Sequence, residues 1–485
     1  MNGEEKVNER EYDTISLDEV IAHHSELLAC SIPVFRRKKD GSLAEVPIVN
    51  LDLLLGKNRK YVASLTLFTR GDWRDAIRTF RTERFSVPPS EVVRETVPDT
   101  AADIELTSRT EQIVKADNDE REDMLAESAE RLSEIAAKPA EAVTERDAGE
   151  VLTASTDAQL ISKTSLIESM SQLGLNDKND EAVRREMRGI AKLTRSLVNS
   201  ITQVVGQNEE MRQVFLRFKP YAEGNTIYHT DRVFINFIQF LFYYNECMNK
   251  GLVTKLRLRF QNYYQPYYRR LLTNREEVRS LEQVFERGMS RVDGRDFLTL
   301  AVGALLHDIG KIENLDYFEG EESRDYARIK RHVYNGYNLI VRTATYPKEV
   351  ALMAALHHEY SGHSSGYGVL HDAYEVRSEF EDMSQKHQFA VSYHCDSVEN
   401  FNAIGYFPVK ALEVLDVFDA LTDPARRYRS RAYSPYEALE LIKRDFVERE
   451  QKIDPILFDL FVDFLAHSEN EDFSEVKVIG SFLRE

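Results

Sequence analysis

The run Leu305-Leu306-His307-Asp308-Ile309-Gly310-Lys311 sets an imidazole beside a carboxylate, with apolar residues before them and a glycine and a lysine after. When deprotonated, both side chains offer lone pairs, so an adjacent His-Asp can chelate one metal ion. The dipeptide alone is common. More ligand-type residues follow the same helical spacing elsewhere. His229 lies in Tyr228-His229-Thr230-Asp231, and His332 in Arg331-His332-Val333-Tyr334-Asn335-Gly336. His357-His358-Glu359 closes an apolar stretch, and Asp416 and Asp419 sit in an apolar segment that runs to Leu421. Taken singly, His332 is an ordinary capping histidine and His357-His358 one buried and one exposed helix residue. Asp416 is harder to dismiss, because a buried carboxylate needs a partner.

Two divalent cations about 3.5–4 Å apart need a bridging carboxylate, imidazoles and a second carboxylate. Asp308 is the bridging candidate, since His307 fixes one metal beside it. Mixed His and Asp ligands suit iron, manganese or zinc better than magnesium or calcium. With no cysteine in the set, two iron or manganese ions are expected. A water between them would be acidified to hydroxide and attack phosphorus in line, while the metals neutralise the developing charge.

The elements that must carry these residues are helices. Segments Tyr228 to about Asn249, Asp296 to Leu306, Val350 to Leu356 and Ala411 to Leu421 have apolar residues at helical period. The chain has 485 residues and a formal charge of −19. Such a chain repels nucleic acid and anionic lipid, so an anionic substrate needs local metal or arginine. Three cysteines, Cys30, Cys247 and Cys395, lie far apart and suggest no disulfide framework. That usage fits a reducing cytoplasm. Met1 to Arg10 is polar, and the most apolar stretch, Val233 to Tyr244, is too short to span a bilayer. No membrane partner is expected.

Residues 1–88 read as a small α/β module of regulatory type. It has a helix over Leu17 to Leu28, strands over Ser31 to Phe35, Ala44 to Leu51 and Tyr61 to Phe68, and a helix through Trp73, Ile77 and Phe80. Residues 89–157 hold 19 acidic against 7 basic residues and no aromatic. That composition predicts a flexible acidic linker with transient helix around Arg121 to Ala137. Residues 158–219 are connecting helices, broken near Ser171 to Asn179, and suited to transmit a signal or to pair with a second copy of the chain.

The ordered set His229, His307-Asp308-Ile309-Gly310-Lys311, His332 with Gly336, His357-His358-Glu359, Asp416-Val417-Phe418-Asp419-Ala420-Leu421 and Arg426 to Arg429 resembles the HD-GYP subfamily of HD-domain phosphohydrolases. Ser434 to Ile442 and Lys452-Ile453-Asp454-Pro455-Ile456 are similar to that domain's closing helix and Asp-Pro turn. The resemblance spans roughly 220–467, within a catalytic domain over 220–485. It implies a mainly α fold, an all-helical HD bundle beside the small N-terminal module, and hydrolysis of cyclic di-GMP to pGpG or GMP. By the same resemblance, His229, His307, Asp308 and Asp416 match ligands of the first metal. Asp308 bridges to a second held by His332, His357 and His358. Lys311 matches the lysine that contacts the scissile phosphate or protonates the leaving oxygen. Arg426 and Arg429 match the phosphate clamp, where a guanidinium fork suits phosphate oxygens. Asp419 and Glu359 orient ligands from behind, and Tyr367 matches the substrate-facing tyrosine.

The chain also departs from the family. Asn225 stands where three-metal members carry glutamate, which favours two ions. The Gly-Tyr-Pro signature is degraded: in Tyr360 to Gly368 the usual Asp-Gly is missing, and Gly368 replaces proline. Two alternatives follow: a catalytically weak cyclic-dinucleotide receptor or scaffold, and a phosphohydrolase for another nucleotide. Insertions fall at about 251–293 and 369–407. The first interleaves Phe260, Tyr263, Tyr264, Tyr267 and Tyr268 with basic residues, a pattern expected to pack rather than to bind RNA. The second carries His371, His387, His394, Cys395 and Asp396 and reads as a lid or surface loop.

Overall fold

The structure, a computed structural model, describes residues 101–139, 142–173, 177–206, 226–271, 278–285, 289–311, 330–360, 365–368, 403–423, 432–468, 471–479 and 483. Within the first 78 residues it describes chiefly 12–16, 32–37, 43–46 and 66–78, with a few single positions besides.

The N-terminal module is a four-stranded antiparallel sheet, β1 (Tyr12–Ile15), β2 (Val34–Arg37), β3 (Leu43–Val46) and β4 (Leu67–Arg70), in the order β1-β4-β2-β3. Phe35 pairs with Phe68, and Ile15 with Leu67. Its own core gathers Ile15, Val34 and Leu67 with Trp73 and Ile77 of the helical turn after β4. The strand at Tyr12 escaped the sequence reading because its alternation is short and polar.

The rest is helical. Four long helices come first: α1 (Ala101–Lys115), α2 (Asn118–Ala136), α3 (Glu145–Gln172) and α4 (Asp177–Gly206). The expected flexible linker is corrected over α1, α2 and the start of α3. These helices bury Leu106, Ile113, Leu125, Leu132, Ile135, Val151 and Ala154 in the main core. Net composition misled here because acids such as Glu111, Asp119, Glu120, Asp123, Glu127 and Glu134 are exposed, while Leu, Ile and Ala supply a narrow inward stripe. Capping boxes at Asp117/Glu120 and Thr144/Asp147 start α2 and α3. Arg121, 1% exposed, is held by Glu168 of α3 at 2.9 Å.

The helices that follow are α5 (Thr226–Asn249), α6 (Leu252–Arg259) running through a wider π turn (Phe260–Tyr264) into α7 (Gln265–Leu271), α8 (Leu281–Val284), α9 (Gly294–Leu305), α10 (His332–Thr343), α11 (Lys348–Leu356), α12 (Ala403–Thr422), α13 (Pro435–Leu441) and α14 (Pro455–Ala466). Helix α5 buries Val233, Phe234, Phe237, Ile238 and Phe240 on several sides, as a central helix must. Asp454 caps α14, and every residue of α14 is buried. In the first insertion, Phe260, Tyr264, Tyr267 and Tyr268 are packed inward, and the Tyr264 and Tyr268 hydroxyls donate to Asp459 at 2.8 Å and Asp454 at 2.7 Å. Of the second insertion, 369–402 lie outside the described residues, and 403–407 open α12. Among the described residues no helix is long and apolar enough to cross a membrane.

Candidate metal centre

Helix α9 stops at Leu305, and the chain turns through Leu306–Gly310 to deliver His307 and Asp308 into the bundle. This turn presses on the start of α10. A Cβ on Gly310 would lie 1.9 Å from the His332 carbonyl oxygen and 2.3 Å from the Gly336 nitrogen. Only glycine permits that backbone approach, and the approach brings His332 to Asp308. Helix α11 ends at Leu356 and hands over His357 and His358, while α5 and α12 supply His229 and Asp416.

The result is a buried cluster around Asp308. Its Oδ1 is 3.3 Å from His332 Nε2 and 3.6 Å from His357 Nε2. Its Oδ2 is 3.6 Å from His307 Nε2 and 3.8 Å from His229 Nε2. Asp416 Oδ1 lies 2.8 Å from His229 Nε2, and Asp416 Oδ2 3.6 Å from His358 Nδ1. Two ligand groups share Asp308: His332, His357 and His358 on one side, His229 and His307 on the other. All seven residues expected as metal ligands are therefore brought together.

The ring orientations are set from behind. Nδ1 of His307 donates to the Ala304 carbonyl at 2.7 Å, and Nδ1 of His357 is 3.1 Å from the Met353 and Ala354 carbonyls. Both rings thus turn Nε2 inward as a lone pair. Asp419 sits 2.6 Å from His229 Nδ1 and is itself clamped by Arg232 at 2.7 and 2.8 Å; Arg232 also reaches Asp423 at 2.6 Å.

Electrostatics keep these groups in ligand form. Burial pushes His307 down to about 4 and His358 well below the usual histidine range; for His358 the His357 ring adds to the effect. Burial alone would raise Asp308, but the Lys311 ammonium and the His307 imidazole more than offset it and hold the carboxyl well below the usual range. Asp416 is likewise held low against its burial, first by the His229 hydrogen bond. A divalent metal fits this set. Among the described residues, His307 Nε2, His358 Nδ1 and Asp308 Oδ1 are buried polar atoms with no hydrogen-bond partner, one in each of the two ligand groups and one on the carboxylate they share. Such groups are costly unless a cation satisfies them.

Lys311 folds back to bond Asp308 Oδ2, and its carbonyl accepts from Lys163 of α3 at 3.0 Å. Glu359 is 1% exposed and touches Gly368, where an added Cβ would lie 2.1 Å from its Oε1. Tyr367 donates its N–H to the His358 carbonyl at 2.8 Å and lays its ring 4.6 Å from the His358 ring. Arg426, Arg429 and Asn225 lie outside the described residues, as do the histidines of the second insertion.

The sequence reading missed four residues around the site. Arg232, next to His229-Thr230-Asp231, was visible as a cation in the motif. Lys410 and Glu413 were visible as two charges three apart in an apolar helix. Lys163 left no signal, since only the packing of α3 brings it to Lys311.

Residues 286–388 match the family model for the HD domain. No curated protein and no solved structure matches the chain. An HD domain implies a metal-dependent phosphohydrolase, and the buried His/Asp cluster has the residue types and spacing to hold metal ions. The HD-domain match supports that class over the stretch carrying His307, Asp308, His332, His357 and His358; His229 and Asp416 join from helices outside it.

Proposed function

We propose that this protein is a metal-dependent phosphodiesterase that opens cyclic di-GMP to pGpG, and onward to GMP. The observation that carries the reading is Asp308, one buried carboxylate shared by two imidazole sets and touched by Lys311. Two divalent ions, iron or manganese, held by these seven side chains would acidify water and draw charge from the phosphoryl oxygens. The chain's own groups do the rest. Asp419 and the helix carbonyls fix the His229, His307 and His357 imidazoles so that Nε2 of each faces the site. Lys311, whose side chain is 13% exposed, is the cation placed to donate to a phosphoryl or leaving oxygen. Tyr367 packs against His358 and offers a wall for the substrate. Arg426 and Arg429 stay in the proposal as phosphate clamps on sequence grounds.

A second reading, hydrolysis of a different nucleotide, is favoured by Gly368. The Glu359 side chain fills the space beside it, so a proline there would have to displace a buried carboxyl group. The loop wall therefore differs from that of the resembled family.

The test is a substrate panel of cyclic di-GMP, other cyclic dinucleotides and nucleoside polyphosphates, run with iron- and manganese-loaded protein. Turnover of cyclic di-GMP to pGpG is expected. Tight binding without turnover of any member contradicts the enzyme reading, and turnover of another nucleotide alone moves the conclusion to the second reading.

A further inference from the structure

Helix α3 turns one polar face into the bundle. Ser155, Thr156, Gln159 and Ser162 are buried on it, and Lys163 is half-buried beside them. At helical pitch these positions fall on one side of the helix. Ser155 and Thr156 bond the Asp231 carboxyl, two residues past His229, with Thr156 at 2.6 Å. Gln159 Nε2 reaches the Ile227 carbonyl at 3.4 Å. The Ser162 hydroxyl lies 3.0 Å from that of Thr194 on α4 and 3.3 Å from that of Tyr346. These bonds pin α3 against α4, against the start of α5 and against the segment that leads into α11.

From that fixed helix Lys163 spans to the turn that follows α9. Its Nζ donates to the Lys311 carbonyl at 3.0 Å. Carbonyls past the end of a helix have no partner in the helical ladder. Here Asn335 of α10 takes the Gly310 carbonyl at 3.4 Å, and Lys163 takes the next one. The Lys311 N–H returns to the Asp308 carbonyl at 2.9 Å. Lys311 is therefore held at both its amide and its carbonyl, and the ammonium of the same residue bonds Asp308 Oδ2. Water alone would satisfy a half-buried carbonyl. A charged donor makes the bond about twice as strong, and a donor anchored on a pinned helix also sets where the carbonyl sits.

We propose that Lys163 is a positioning residue for Lys311. By holding the backbone of Lys311, it keeps that residue's ammonium beside Asp308, where it can meet a phosphoryl or leaving oxygen. Helix α3, outside the stretch that matches the HD model, is then part of the catalytic apparatus. This rests on the phosphodiesterase reading above.

Three single variants of the full chain test it. Lys163→Met keeps the length of the side chain and removes the donor. Lys163→Arg keeps a charged donor. Ser162→Ala loosens the same helix without touching the turn, and is the control. In metal-loaded protein, Lys163→Met should lower kcat roughly ten- to a hundredfold with KM within about threefold of wild type. Ser162→Ala should keep kcat within about twofold. Metal content should be unchanged in all three. Hydrogen exchange at the Lys311 amide should accelerate at least about tenfold in Lys163→Met and stay slow in Ser162→Ala, a readout independent of turnover. Lys163→Arg should restore kcat to the extent that it restores slow Lys311 exchange. If the wild type cleaves no nucleotide, the reading of the activity fails, while Lys311 exchange and metal content still decide the positioning claim. Unchanged Lys311 exchange in Lys163→Met, loss of metal from it, or an equal fall in kcat in Ser162→Ala overturns the claim.

Discussion

The His229 ring is held from behind by Asp419, 2.6 Å from Nδ1, and this bond turns Nε2 toward Asp416 and Asp308. Asp419 is in turn fixed by two hydrogen bonds from Arg232. A ligand oriented in this way loses affinity when its support weakens, typically by ten- to a hundredfold. Asp419→Asn keeps the shape but removes the charge. It should lower metal affinity by roughly ten- to a hundredfold with little change in helix content, as read by metal titration and circular dichroism.

The contact of Gly310 with the His332 carbonyl and the Gly336 nitrogen involves backbone on both sides, so nothing flexible can yield. Gly310→Ala should cost on the order of 1–3 kcal/mol in denaturant unfolding and also weaken metal binding, because His332 and Asp308 are pushed apart. Gly149 in α3 is the control. Nothing lies within 4 Å of its added Cβ, and Gly149→Ala should be neutral or stabilising by up to about 1 kcal/mol.

Asp231 is 1% exposed, faces the hydroxyls of Ser155 and Thr156 and the amide of Gln159, and has Arg232 and Asp157 as its charged neighbours. Burial pushes its carboxyl from 3.8 up to about 7, only partly offset by the two hydroxyls and Arg232. Between those values the folded chain binds a proton that the unfolded chain has released. This group's contribution to stability therefore falls as pH rises and levels off above about 7. Comparing wild type with Asp231→Asn by chemical unfolding between about pH 5 and pH 8 isolates it. The variant should lack a downward slope of up to about 1 kcal/mol per pH unit below pH 7 and match the wild-type slope above it.

Chelation should also be felt in stability. Among the described residues, His307 Nε2, His358 Nδ1 and Asp308 Oδ1 are buried with no hydrogen-bond partner. At a free metal concentration one hundred times the dissociation constant, binding adds about 2.7 kcal/mol for a single site. The thermal midpoint should rise with manganese in a concentration-dependent way and fall on adding chelator.

The ligand set was legible because each imidazole or carboxylate lies at a helix end or in an apolar helix, where a polar residue has no plain excuse. The helices over Thr226–Asn249, Gly294–Leu305, Lys348–Leu356 and Ala403–Thr422 were legible from their periodicity, since buried helices are apolar on most sides. Helix α1 was not, and α2 was read only as transient helix around Arg121 to Ala137, because counting charge over a segment hides a stripe such as Leu125, Leu132 and Ile135. The grip of Lys163 on the Lys311 carbonyl was invisible for a different reason. It joins residues 148 positions apart through a backbone oxygen that has no sequence identity.

The central claim is that Asp308 is shared by two metal ions that cut a phosphodiester. Metal stoichiometry and hydrolysis of cyclic di-GMP, measured side by side on wild type and Asp308→Ala, test it most directly. The account predicts about two ions per chain and turnover for the wild type, against fewer ions and a loss of turnover of at least about a thousandfold for the variant. An Asp308→Ala protein that keeps two ions and its activity would contradict it.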